Sequence, residues 1–172
     1  MTSEERSLCR GLVITPPGAG RKISKEEFAS RLPSAVERGA VATRLLEEAL
    51  QSKNSEDVQC VLIVGHAFGF AADQVGVLSR LLEADWHVSH EDVVSALDKL
   101  RSPAAVSALV RATEWIPEYL NYDDSRALAG KAIWALGKVP GGEAESALRK
   151  LAASNESVIR DAALQQLERR KA

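Results

Sequence analysis

The sequence predicts an all-α protein built as a stack of antiparallel helix hairpins. Three observations carry that expectation. First, related segments recur at offsets of 31 to 39 residues. NSEDVQCVL from Asn54 and SHEDVVSAL from Ser89 place Glu56, Asp57, Val58 and Leu62 in register with Glu91, Asp92, Val93 and Leu97, an offset of 35. Ala96 and Leu100 map onto Ala132 and Leu136, and these onto Ala163 and Leu167. Val75 and Leu78 map onto Val106 and Leu109. Helical hairpin repeats run to roughly 30–47 residues, and stacking buries a face that one hairpin cannot bury alone. Second, Ala96, Ala132, Ala135, Ala147 and Ala163 recur at inner positions, where small residues let helices approach closely and Leu and Val fill the core. Third, no stretch shows convincing strand alternation.

The elements follow in order. Residues 1–23, with GLVITPPGAGRK at 11–22, are expected to form an irregular N-terminal arm, and residues 24–172 a single domain. Helices are expected near 24–32, 34–51, 55–69, 74–84, 90–101, 103–114, 124–138, 142–153 and 156–170. Ser24 and Glu27 have capping-box spacing. Asn54 or Ser55, Asp73 and Ser89 are candidate N-caps, because a side-chain oxygen satisfies an orphan helix N–H. Ser102-Pro103 puts proline at the first helical position, where its missing N–H costs nothing. Gly137 and Gly141-Gly142 are candidate helix stops.

Composition narrows the function classes. The chain has 172 residues, 45% hydrophobic and 27% charged, with a net charge of −2. That is a globular balance without the whole-molecule basic field that draws in nucleic acid. Cys9 and Cys60 lie far apart in unlike contexts, Cys60 reading as a buried thiol; a disulfide framework is not expected, and a reducing compartment is. The N-terminus starts acidic and carries no signal-peptide pattern. VQCVLIVGHAFGFAA falls short of the ~20 residues that span a bilayer. The expectation is a soluble cytoplasmic protein.

One stretch concentrates the candidate site. WIPEYLNYDDSRALAGKAIWALG (115–137) holds two of the three Trp and both Tyr. Pro117 should end the preceding helix near Glu114, and Asp123-Asp124-Ser125 can start the next. IPEYLNY between them is an insertion, and insertions on one face of a repeat stack commonly carry binding. Residues 83–125 carry a net −6, against 0 for 1–82 and +4 for 126–172. Tyr and Trp anchor interfaces, and acids steer basic partners. The candidate partner-binding residues are Trp86, Glu91, Trp115, Glu118, Tyr119, Tyr122, Asp123 and Asp124. Structural roles compete. Trp134 is expected in the core, Trp86 and Trp115 fit as staples of the stack, and Tyr119 and Tyr122 are equally plugs or contacts. Glu91, Asp92, Asp123 and Asp124 suit the positive ends of helix dipoles.

Other chemistry is weakly signalled. His87, His90 and Glu91 have a conceivable metal spacing but match no zinc-protease signature, and a surface cap region is the simpler reading. His66 reads as a hydrogen-bonded core histidine. PPGAGRK at 16–22 lacks phosphate-loop spacing. No catalytic residue, cofactor or metal is expected.

LAGKAIWALGKVPGGEAESALRKLAASNESVIRDAALQQL (128–167) resembles the HEAT-like repeats of phycobilin lyases. Val158, Arg160, Ala163 and Leu167 match that pattern, with Ile159 a departure between Val158 and Arg160. The likeness is good over 89–170, fair over 54–84 and weak before 53. It implies a right-handed α-α superhelix, a short HEAT-like solenoid of antiparallel helix hairpins. With SHEDVVSAL and EYLNYDDSRALAGKAIWALG, the chain also resembles short bacterial HEAT-repeat immunity proteins encoded beside toxin genes. That likeness implies a non-enzymatic antidote that occludes a basic toxin domain, such as a nuclease, without touching nucleic acid or membrane. Phycobilin-lyase-like or DNA-glycosylase-like enzymes and general interaction scaffolds are the alternatives that share the architecture.

Overall fold

The computed structural model describes residues 1–13, 22–122 and 126–171. The described chain is predominantly helical, with ten α-helices: α1 (Ser3–Gly11), α2 (Lys25–Arg31), α3 (Thr43–Ser52), α4 (Ser55–Phe68), α5 (Val75–Leu82), α6 (His90–Leu100), α7 (Val106–Glu114), α8 (Ala127–Lys138), α9 (Gly142–Leu151) and α10 (Ser157–Arg169). None of these helices is long and apolar enough to cross a membrane.

The local signals explain most of the boundaries. Asn54 Oδ1 accepts from the Asp57 N–H at 3.1 Å and Ser24 Oγ from the Glu27 N–H at 3.1 Å, so both caps form. Ser102 Oγ accepts from the Ala104 N–H ahead of α7, with Pro103 at the first position. The α7 helix ends at Glu114, three residues before Pro117. Other expectations are corrected. Ser89 makes no side-chain cap on α6. Asp73 does not cap α5; buried Gln74 accepts from the Ala71 N–H and donates to the Val41 carbonyl at 2.7 Å instead. The cap expected from Asp123-Asp124-Ser125 lies outside the described residues.

Two larger differences lie near the N-terminus. Within the expected irregular arm, residues 3–11 form α1, started by a Thr2–Glu5 capping box and packed on α4. Within the helix expected over 34–51, only α3 is helical; Pro33–Ala35 is a 3₁₀ turn and residues 36–41 form a hairpin. Its strands, β1 (Val36–Glu37) and β2 (Ala40–Val41), pair antiparallel with Val36 opposite Val41. Arg38 and Gly39 both take positive φ, 49° and 81°, which is the backbone a two-residue hairpin turn demands.

From α3 onward the helices pack in two rows. In one, α3, α5, α7 and α9 each contact the next; in the other, α4, α6, α8 and α10 do the same. Each consecutive pair, α3 with α4 through α9 with α10, closes a hairpin between the rows. Leu46, Leu62, Leu78, Leu97, Leu109, Ile133, Leu136 and Leu148 fill the seam, and Ala96, Ala132, Ala135 and Ala163 are fully buried at the close approaches. Ala147 is only half-buried; Ala144 takes the inner place on α9.

The last crossing is locked by a guanidinium. Gly137 does not stop α8, which runs to Lys138; a Cβ there would collide with the Gln166 side chain of α10. Just beyond, Arg170 donates to the carbonyls of Val139 at 2.6 Å, Gly137 at 3.1 Å, Leu136 at 3.3 Å and Gly141 at 3.1 Å. Leu136 already accepts from the Val139 N–H, so the fork adds a second bond there and joins the end of α8 to Gly141 at the start of α9. Arg170→Ala is expected to cost about 2 kcal/mol, and Arg170→Lys to recover only part of it because an ammonium cannot span four carbonyls. Urea unfolding checks this; an unchanged midpoint in the Ala variant would refute it.

Candidate partner-binding rim

The insertion after α7 is held from beneath by a nest of rings. His87 and His90 are buried and stack with centroids 4.2 Å apart. The Trp86 ring meets His87 edge-on at 5.1 Å, and Trp115 meets His90 edge-on at 4.9 Å. The Tyr119 ring lies over His90 at 5.6 Å.

Hydrogen bonds fix the state of both imidazoles. His90 Nε2 lies 2.7 Å from the Ala84 carbonyl, which can only accept, so Nε2 carries the proton. Nδ1 is then the acceptor, and the Tyr119 hydroxyl donates to it at 3.1 Å. His87 repeats the pattern: Nε2–H donates to the Leu81 carbonyl at 2.8 Å, and Nδ1 accepts from the Ser89 N–H at 3.1 Å. Each ring is therefore a neutral bridge. Burial pushes the pKa of both down, His90 to about 4 with its neighbour His87 adding to the effect. The expected surface cap region is thus a buried pillar. All four ring nitrogens are engaged, so a metal would have to displace four hydrogen bonds. His66 is half-buried rather than core, its Nδ1 accepting from Lys99 Nζ at 3.0 Å.

The sequence candidates divide accordingly. Trp86, Trp115 and Tyr119 are half-buried members of the pillar. Tyr122 stands 83% exposed, and Glu118, on the 3₁₀ turn Glu118–Leu120, is exposed beside it. Glu91 is half-buried and bound to Lys131 of α8 at 2.8 Å. Asp123 and Asp124 lie outside the described residues. Trp134, expected in the core, is 41% exposed; Arg169 lies over its ring at 4.0 Å and Lys138 at 5.8 Å.

Between α6 and the insertion opens a cleft of about 370 Å³, lined by Val88, Asp92, Tyr119, Leu120 and Tyr122 among others. Val88 (61% exposed) and Asp92 were not among the sequence candidates. Charge bookkeeping singles out Asp92. The cations of α7 and α8 are spent within the stack: Arg111 pairs with Glu83, Lys131 with Glu91, and Lys138 with Asp98. Asp85, Asp92, Glu114 and Glu118 remain exposed without an ion pair among the described residues. Of these, Asp92 lines the cleft beside the insertion and Glu118 lies on the insertion itself, while Glu114 lines the groove between α7 and α9 and Asp85 the groove beside Trp115.

Comparison of the chain with protein-family models, with curated proteins and with solved structures returned no match.

Proposed function

We propose that the chain is a non-enzymatic protein-binding antidote, an immunity protein that seats a basic toxin domain on its acidic, tyrosine-bearing rim and occludes the toxin's active site. On this reading the two rows of helices form a right-handed, HEAT-like superhelix, and the insertion after α7 is its gripping edge. The observation that carries the proposal is the division of labour in the ring cluster. Trp86, His87, His90, Trp115 and Tyr119 make a rigid base, while Tyr122, Val88, Asp92 and Glu118 stand free in solvent. A preorganised loop loses little entropy on binding, and an exposed tyrosine beside unpaired acids is the composition of an anchor for a basic surface.

The repeat supplies further support. Asp57 and Asp92 are equivalent positions, 35 residues apart. At the first, the chain itself provides the cations: Arg6 Nε donates to Asp57 at 2.7 Å and the Met1 ammonium at 2.9 Å. At the second no cation of the described chain approaches the carboxylate, and a partner's guanidinium or ammonium fills that place.

The test is binding to the protein encoded by the adjacent gene, followed by calorimetry at several salt concentrations. The wild-type chain is expected to bind more weakly as salt rises. Tyr122→Ala and Asp92→Asn are expected to weaken binding roughly 10-fold each or more, and Trp134→Ala to leave it unchanged. Absence of binding by the wild-type chain would refute the antidote reading. Binding that ignores both rim variants would refute the site.

A further inference from the structure

The two cysteines of the chain come together where α1 packs on α4. Cys9 and Cys60 lie far apart in the sequence, and no disulfide joins them in the structure. Both are fully buried and free. The Cys60 thiol points back to α1, its Sγ 3.9 Å from the Arg6 carbonyl. Cys9 lies three residues beyond Arg6 on α1, and Cys60 three residues beyond Asp57 on α4. The Arg6–Asp57 pair and the Cys9–Cys60 pair are therefore successive rungs between the same two helices.

We propose that Cys9 and Cys60 form a thiol–disulfide latch that, when oxidised, fastens α1 to the helix row. Cys60 Sγ reaches the α1 backbone at Arg6, one turn before Cys9, which brings the two buried thiols side by side. The neighbouring Cys60 thiol and burial both push the Cys9 pKa up, while Cys9 and the Arg10 and Arg6 cations lower that of Cys60 against burial and Asp57. With Cys60 as the attacking sulfur, Cys9 is the resolving one. With a small disulfide such as glutathione disulfide as oxidant, the Cys60 thiolate attacks one glutathione sulfur and expels a glutathione thiolate, leaving a mixed disulfide. The Cys9 thiolate then attacks Cys60 Sγ and expels the second glutathione. Two electrons pass from the protein pair to the oxidant, and the two thiol protons end on two glutathione thiols.

Neither sulfur reaches solvent in the closed structure, so exchange proceeds when α1 lifts. A nine-residue helix has little stability of its own, and its hold on the row is chiefly the α4 contact. The latch converts that reversible lifting into a closed loop of about 50 residues.

The test incubates the reduced full chain with glutathione disulfide and reads intact mass, thermal midpoint and hydrogen exchange. The expected product is a monomer lighter by two hydrogens, with no retained glutathione. Its midpoint rises by roughly 5–15 °C and the α1 amides become strongly protected. Cys9→Ser is expected to stop at a stable glutathione adduct on Cys60. Cys9→Ala with Cys60→Ala is expected to fold and show no oxidant-dependent shift. Two free thiols recovered from the wild-type chain, a retained adduct on it, or disulfide-linked dimers would each overturn the proposal. These outcomes are read on the wild-type mass alone, whether or not the variants fold.

Discussion

Acidification from pH 6.5 to pH 4 is expected to cost the fold about 3 kcal/mol through His90 alone. In the unfolded chain this imidazole titrates near the ordinary 6.5; in the fold its pKa falls to about 4. Burial is the main cause. The Ala84 carbonyl opposes it in part, and the stacked His87 ring reinforces it to a smaller extent, since two cations 4.2 Å apart repel. Between pH 4 and 6.5 the unfolded chain binds this proton and the native chain does not. Stability is therefore complete above about 6.5, declines as pH falls through the window, and levels off below the folded value. Protonation of His90 Nδ1 also removes the acceptor of the Tyr119 hydroxyl, so the insertion loosens as the fold weakens. Carboxylates titrate in the same range, and a variant isolates the histidine. His90→Gln should be less stable than wild type at pH 7 yet lose less on acidification. Urea unfolding at pH 7 and pH 4.5 gives the comparison, and NMR titration of the ring gives the pKa directly. A folded-state His90 titrating near 6.5, or equal pH slopes in the two proteins, would sink the argument.

That pillar was hard to see in the sequence, and the reason is physical. Hairpin stacking was legible because its signals are local: Asn54 caps α4, Pro103 opens the turn before α7, and Pro117 follows the end of α7. The burial of His87 and His90 depends on carbonyls at Leu81 and Ala84 and on rings from beyond α7, a convergence that no spacing announces. The hairpin at 36–41 escaped because two-residue strands are too short to alternate; the Arg38-Gly39 turn was its one cue. Trp134 was readable and misread. Its size suggested core, but Lys131, Trp134 and Lys138 share one helical stripe, and that stripe is exposed. At the rim, the aromatic and acidic concentration singled out the segment that holds Tyr119 and Tyr122, but not their different exposure. Which tyrosine faces outward was settled only by the packing of Tyr119 on His90.

The N-terminal rung makes the other large prediction. Asp57→Ala is expected to destabilise the fold by about 3 kcal/mol, the lower end of what breaking a buried ion pair costs. Asp57 is 4% exposed and accepts from both Arg6 and the Met1 ammonium across partly buried hydrogen bonds. Removing the carboxylate leaves two partly buried cations, the Arg6 guanidinium and the Met1 ammonium, close together without their counter-charge, and that uncompensated charge, rather than a lost contact, dominates the cost. Arg6 retains some access to water and recovers part of its solvation, which keeps the loss from being larger. Burial raises the Asp57 pKa, but the two cations outweigh it and hold the carboxyl below the ordinary value. Its contribution is therefore present above the ordinary carboxylate pKa and lost as pH falls through the depressed folded value. Asp57→Asn separates charge from shape: it preserves an acceptor, so a loss close to that of the Ala variant assigns the effect to charge. Hydrogen exchange locates it, because α1 should lose protection before α6 to α10 do. If Asp57→Ala unfolds at the wild-type urea midpoint with α1 equally protected, the ion pair is incidental to the way α1 is held.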